Sequence, residues 1–247
     1  MSKIEWTEKT WNPITGCTKV SAGCKNCYAE VIAQRFWKER KFIDVQFHKD
    51  RLSEPLHRKK PTMYFVNSMS DLFHEDIHGQ NIINILEIMK EAKQHIFQVL
   101  TKRPERMKAI LDFYDEVLPN VWYGISIENQ AMARERLTAF RETKAHIKFV
   151  SYEPALTEVS WDDYEFINWI IAGGESGQKK RINNIEWFRL TRDWAQRNKI
   201  AFFMKQIDKV QEIPEDLMIR EYPLQPLEPL VGNPNEWTLK SSLEEEK

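Results

Sequence analysis

No apolar run in this chain approaches the length needed to cross a bilayer, since a spanning helix takes about 20 predominantly apolar residues. Charge of one sign is missing too: 36 Lys and Arg face 37 Asp and Glu, for a formal net charge of -1. That balance excludes a global electrostatic footprint for nucleic acid or membrane. The start, Met1-Ser2-Lys3-Ile4-Glu5-Trp6, has no secretory leader pattern, so a soluble, cytoplasmic protein with no membrane partner is expected. The glycines form no G-x-G-x-x-G dinucleotide fingerprint, and there is no Walker lysine. No internal repeat or low-complexity tract is present.

Cysteine is scarcest of all. The three in the chain, Cys17, Cys24 and Cys27, fall within eleven residues, spaced C-x6-C-x2-C and flanked by Gly16 and Gly23. An odd count without a leader argues against a disulfide framework. Core packing gives no reason to gather every thiol into one loop, whereas metal ligation does, because three thiolates on a short loop can converge on one ion or cluster. Three thiolates with no evident fourth ligand leave an open coordination position.

What is abundant is alternation. Short apolar runs at 62–67, 95–100, 121–127, 147–151, 169–173 and 200–205 read as strands buried on both faces of a parallel sheet. Between them, amphipathic spacing predicts helices over 81–93, 104–113, 130–141 and 185–198, the second opened by Pro104 at a favourable first-turn position. One more strand at 11–14 brings the count to seven. The expectation is an α/β fold, a partial (β/α) TIM-like barrel of about six to seven parallel strands with an irregular C-terminal tail. The barrel domain is expected over 1–210 and an acidic, Pro-rich extension over 211–247, where nine acids face three bases from Glu212 onward. The cysteine loop then follows the first strand, at the carboxyl end of the sheet where such folds build their sites.

The strands end in chemistry. The second runs into Ser68-Met69-Ser70-Asp71, the third into Thr101-Lys102-Arg103, the fourth into Ser126-Ile127-Glu128. The fifth ends at Ser151-Tyr152-Glu153, the sixth at Gly173-Gly174-Glu175-Ser176-Gly177, the last at Lys205-Gln206. Loops are polar in any protein and each stretch alone fits a cap or turn, but six in succession point to a shared polar pocket at one rim. The glycines of the sixth let backbone approach a ligand closely or serve a purely structural turn. His74-Glu75-Asp76-Ile77-His78 matches the H-E-x-x-H zinc-protease pattern, yet it follows a strand directly and Gly79 comes next, so two histidines on one helical face are not expected. Asp71, His74 and Glu75 remain candidate pocket residues. The stretch 35–60 carries nine Lys or Arg against four acids, with interleaved aromatics; it reads as a solvated helical face or as a nucleic-acid surface.

Taken together, WNPITGC (11–17), CKNCYA (24–29), MSDLFH (69–74), LTKRP (100–104), EP (153–154), GGESG (173–177) and FFMKQ (202–206) are similar to a phage-associated, three-cysteine-motif family of unknown function. The loop of three cysteines after the first strand of a partial barrel resembles the radical S-adenosylmethionine superfamily. The resemblance implies an iron–sulfur enzyme in which Cys17, Cys24 and Cys27 ligate a [4Fe–4S] cluster. One open iron would chelate S-adenosylmethionine, cleaved reductively to a 5′-deoxyadenosyl radical that acts on an unknown substrate. It also implies Asp71, Ser126, Glu128, Gly173, Gly174 and Glu175 as cofactor contacts, and Lys102, Arg103, Glu153, Lys205 and Gln206 as candidate substrate contacts. The alternative is a non-catalytic module in which the cysteines hold zinc with His48 or His57 as fourth ligand, or hold iron–sulfur, and which recognises a partner protein or nucleic acid.

Overall fold

The computed structural model describes residues 4–176, 179–208, 210–225 and 238–239. Seven parallel strands form one sheet: β1 (Lys9–Trp11), β2 (Met63–Val66), β3 (Ile96–Thr101), β4 (Val121–Ser126), β5 (Ile147–Tyr152), β6 (Trp169–Gly173) and β7 (Ala201–Gln206). Their spatial order is their chain order, each strand pairing with the next. A doubly wound sheet reverses its order at a switch point. Here no reversal occurs, so successive crossovers stay on one side and the sheet curls into a half-barrel.

Helices α1 (Tyr28–Phe36), α2 (Gly79–Glu91), α3 (Pro104–Tyr114), α4 (Gln130–Glu142) and α5 (Ile185–Arg197) punctuate the strands. Asn129 and Asn184 cap α4 and α5, accepting from Met132 N and Glu186 N. The period-two alternation of the strands splits the core into two layers. The outer layer, between sheet and helices, holds Val66, Phe97, Val99, Ile125, Val150, Ile170 and Phe202 with the apolar faces of α2, α4 and α5. The inner layer, inside the curl, holds Trp6, Phe65, Trp122, Phe149, Trp169 and Phe203. Trp6 crosses that interior, its ring 4.6 Å from Phe65 and 6.2 Å from Trp169. Gly124 admits the Phe149 ring, which a β-carbon there would meet at 2.5 Å.

The first strand lies earlier than its expected place at 11–14. Pro13 has no N–H to continue a ladder, and Ile14–Thr15 instead pairs antiparallel with Gln46–Phe47. Helix α1 was not evident from the sequence pattern, and 35–60 is not a helical face: past Phe36 it is a folded loop carrying the short strand Gln46–Phe47 and two short 3-10 turns. Among the described residues the half-barrel does not close. Segment 219–221 runs antiparallel along the outer edge of β7, with Met204 N donating to Ile219 O at 2.8 Å and Glu221 N to Phe202 O at 2.9 Å. Most of the expected acidic tail, 226–237 and 240–247, lies outside the described residues, as does Gly177. Among the described residues no helix is long and apolar enough to cross a membrane.

Candidate functional site

The loop from Cys17 to Cys27 lies over the carboxyl ends of the strands and is tied to them by carboxylates. The backbone N–H of Gly23 donates to Glu128 Oε1 at 3.3 Å. Asn26, between the last two cysteines, donates through Nδ2 to Glu175 Oε2 at 2.9 Å. At the loop's start, Arg103 Nη2 donates to Thr18 Oγ1 at 3.0 Å, and Arg103 Nη1 lies 3.8 Å from Cys17 Sγ. Arg103 is itself gripped by Asp71 at 3.0 Å and Glu75 at 2.6 Å. His74 accepts from Thr18 N at 3.2 Å, and Tyr28 donates to Ser68 O at 2.7 Å. The ties reach the ends of four strands, β2, β3, β4 and β6, so the half-barrel holds the thiols as a rigid frame would.

Each carboxylate is in turn neutralised. Glu128, fully buried, pairs with buried Arg136 at 2.9 Å. Burial opposes its charge, yet Arg136 holds the Glu128 carboxyl below the ordinary range. Glu175 is 5% exposed and takes Arg181 Nη2 at 2.6 Å and Arg181 N at 2.8 Å. Burial again opposes ionisation, and the hydrogen bonds from Arg181 and Asn26 outweigh it. Asp71 accepts from Phe73 N and Thr101 Oγ1 on one oxygen and from Lys102 N and Arg103 on the other.

A pocket opens under the loop, and its walls follow from strand alternation. Trp6, Phe65 and Leu100 line its depth, Ser126 and Ser151 its middle. Its mouth is formed by Cys24, Asn26 and Cys27 with Lys102, Glu153, Gly174, Glu175 and Lys205. The inward positions of β4 read Trp122, Gly124, Ser126 and those of β5 Ile147, Phe149, Ser151, so each strand passes from apolar to hydroxyl as it rises toward the rim.

All three cysteines are free and half-buried. Burial, reinforced by the charge of Asp71, pushes the Cys17 thiol up to about 12 against the pull of Arg103. Burial acts the same way on Cys24, but the charge of Lys102 and hydrogen bonds from the loop backbone bring its thiol below the usual range. Among the described residues, no three His, Cys, Asp or Glu side chains lie close enough to grip a single metal ion. A four-iron cluster spaces its thiolates more widely than one ion does, and three soft thiolates on one clamped loop beside a pocket are the donor set it takes. The residues fit that group.

The strand ends therefore divide in two. Lys102, Ser126, Glu153, Gly174, Glu175 and Lys205 do converge on the pocket with Cys24 and Cys27. Cys17, Asp71, Arg103, Glu128, Gly173 and Gln206 are not among its lining residues. Asp71 and Glu128, expected to touch cofactor, are occupied in holding Arg103 and the loop. Arg103, expected at substrate, touches Cys17. Gln206 donates to Gly174 O at 2.9 Å. Gly174 is needed for packing: a β-carbon there would sit 1.9 Å from Ile207 O.

The H-E-x-x-H residues lie in turns ahead of α2, as expected, and the structure gives each histidine its own task. His78 caps α2, accepting from Gln80 N at 3.2 Å, while His74 anchors Thr18. Of the zinc candidates, His48 contacts Thr15 at 2.7 Å and His57 closes a 3-10 turn. In 35–60, Arg40 stacks on Trp37 at 3.9 Å and bonds Gln46 and Thr15, so part of that basic stretch is used internally.

Sequence reading missed Arg136, Asn26, Thr18 and Arg181. One signal pointed to Arg136: it falls at helical spacing between Ala133 and Phe140, on the buried face of α4. The other three carry no local pattern.

The family described as "Protein of unknown function (DUF5131)" matches residues 1–222. No curated protein matches the sequence. A solved structure, "Spore photoproduct lyase complexed with dinucleoside spore photoproduct", is similar at 11% identity and a TM-score of 0.45, over 78% of this chain and 74% of that one.

Proposed function

We propose, for a chain that belongs to this family of unknown function, an iron–sulfur enzyme of the radical S-adenosylmethionine type. The observation that carries the reading is the placement of every thiol in the chain on one loop, clamped by strand-end carboxylates over the mouth of a pocket at the carboxyl rim of a half-barrel. Cys17, Cys24 and Cys27 would hold a [4Fe–4S] cluster. When bound, it would supply the electron that cleaves S-adenosylmethionine to methionine and a 5′-deoxyadenosyl radical.

The chain's own residues supply position and enclosure. Glu128 and Glu175 hold the loop through Gly23 N and Asn26. Arg103 holds its start through Thr18, and itself rests on Asp71 and Glu75. Ser126 and Ser151 present hydroxyls to whatever fills the pocket, and Trp6, Phe65 and Leu100 exclude water from its depth. Glu153 and Lys205, paired at 2.5 Å, are the polar groups offered to substrate.

Anaerobic purification tests the reading. A brown protein with bound iron and broad absorbance near ~400 nm is expected, and on reduction it releases 5′-deoxyadenosine from S-adenosylmethionine. A colourless protein carrying zinc supports the binding-module reading instead.

A further inference from the structure

Among the described residues, Lys102, Arg103, Arg181 and Lys205 stand near the cysteine loop, and the last three are spoken for. Arg103 is held by Asp71 and Glu75, Arg181 by Glu175, and Lys205 by Glu153. Lys102 is different. Its backbone N–H donates to Asp71, but among the described residues no carboxylate lies within ion-pair reach of its ammonium. The side chain is half-buried, lines the pocket beside Cys24, and acts electrostatically on Cys24 and Glu128. Glu128 cannot serve as its partner, being taken by Arg136 and Gly23 N. An ammonium that lines a pocket without a carboxylate paired to it is left able to take an anion from a ligand.

We infer that Lys102 is an anion site, and that the molecule entering this pocket carries a carboxylate or phosphate which pairs with its ammonium at the mouth, next to Cys24. The pocket fixes the rest of the ligand. Level with the lysine by strand register lie two hydroxyls, Ser126 and Ser151, and toward the strand starts the apolar walls of Trp6, Phe65 and Leu100. That gradient suits a ligand anionic at one end and apolar or aromatic at the other. The anion site stands on this geometry alone. Assigning the anion to the carboxylate of S-adenosylmethionine rests on the proposed function, whereas a nucleotide phosphate does not.

The test is equilibrium binding to the iron-loaded, unreduced protein, with wild type, Lys102→Met and Lys102→Arg compared. The probes are S-adenosylmethionine, its decarboxylated analogue and adenosine 5′-monophosphate. If the carboxylate is the anion, Lys102→Met weakens S-adenosylmethionine roughly 10-fold or more, as loss of a charge-assisted contact does. Lys102→Arg restores most of that affinity, and the decarboxylated analogue is indifferent to both changes. A Lys102-dependent loss confined to the monophosphate assigns the site to phosphate. If wild type ignores S-adenosylmethionine in that case, the proposed function fails while the anion site stands. Unchanged affinities in Lys102→Met overturn the inference and spare the proposed function. An equal loss for the decarboxylated analogue, or a loss of iron with affinities unchanged, assigns the lysine to packing or to the thiolates and overturns it too. So does failure of both anionic probes to bind wild type.

Discussion

Gly23 lies against Glu128: its N–H reaches Oε1 at 3.3 Å, and a β-carbon on Gly23 would sit 3.1 Å from the carboxyl carbon. The loop carrying the thiols is thus seated on a carboxylate that is itself buried, and its seat depends on the cation behind it, Arg136.

Replacing Arg136 by Met strands the Glu128 charge. The expected loss of stability is about 3–5 kcal/mol, the usual cost of breaking a buried pair from one side. The double variant Arg136→Met/Glu128→Gln recovers part of it, because no charge is then left buried. Chemical denaturation measures both; an Arg136→Met protein as stable as wild type would show that the pair does not hold the fold.

Replacing any of Cys17, Cys24 or Cys27 by Ala sharply lowers bound iron and leaves the secondary structure intact, since the loop sits at the rim rather than in the core. Iron analysis and circular dichroism on the same samples check this. Full iron retention in Cys24→Ala removes Cys24 from the site.

The two histidines of the H-E-x-x-H stretch separate in the same assay. His74→Ala releases Thr18 and lowers iron retention, while His78→Ala removes only the cap of α2, costing about 0.5–2 kcal/mol of stability. Loss of a zinc ion in both variants would contradict the turn geometry found for them.

Adjacent glycines behave oppositely. Gly174→Ala drives a methyl into Ile207 O and Asn183 Nδ2 and destabilises by about 1–3 kcal/mol or more. A methyl added at Gly173 would find its nearest atom, Glu153 Cδ, at 3.5 Å, an ordinary contact, so Gly173→Ala stays close to wild type. Equal melting temperatures for the two variants would refute the close approach at Gly174.

Acid acts on the segment after the barrel. Hydrogen bonds from Arg189, and then Arg192, hold the Asp216 carboxyl down to about 2 from an ordinary 3.8. A depressed carboxyl stabilises the fold above its unfolded value and loses that contribution as pH falls through its folded one. The stability gap between wild type and Asp216→Asn is therefore constant above about pH 5 and closes between about pH 4 and pH 2. A gap that widens on acidification reverses the sign and sinks the assignment.

The sheet was legible because strands covered on both faces must be apolar, as Trp169–Gly173 is and as Ala201–Gln206 is up to Met204. The first strand was misplaced because Ile14 is as apolar as a strand residue but pairs elsewhere, with Phe47. The polar rim was legible as composition, and the division of labour within it was not. Whether Glu128 faces a ligand or a loop depends on Gly23, which is 105 residues away. Asn26 and Glu175 are 149 residues apart. Such pairs leave no periodic trace, and Glu, Asp and Arg look alike in sequence whether they bind ligand or each other.

The aromatic filling beneath Ser126 and Ser151 has a kinetic meaning. Trp6, Trp122, Phe149 and Trp169 fill the interior beneath the two hydroxyls, so among the described residues the pocket has an aromatic floor, and the cysteine loop is its lintel. Two molecules that share it must queue: the one seated deeper arrives first and departs last. Steady-state kinetics with two ligands would accordingly follow a compulsory order, with the outer ligand imprisoning the inner one.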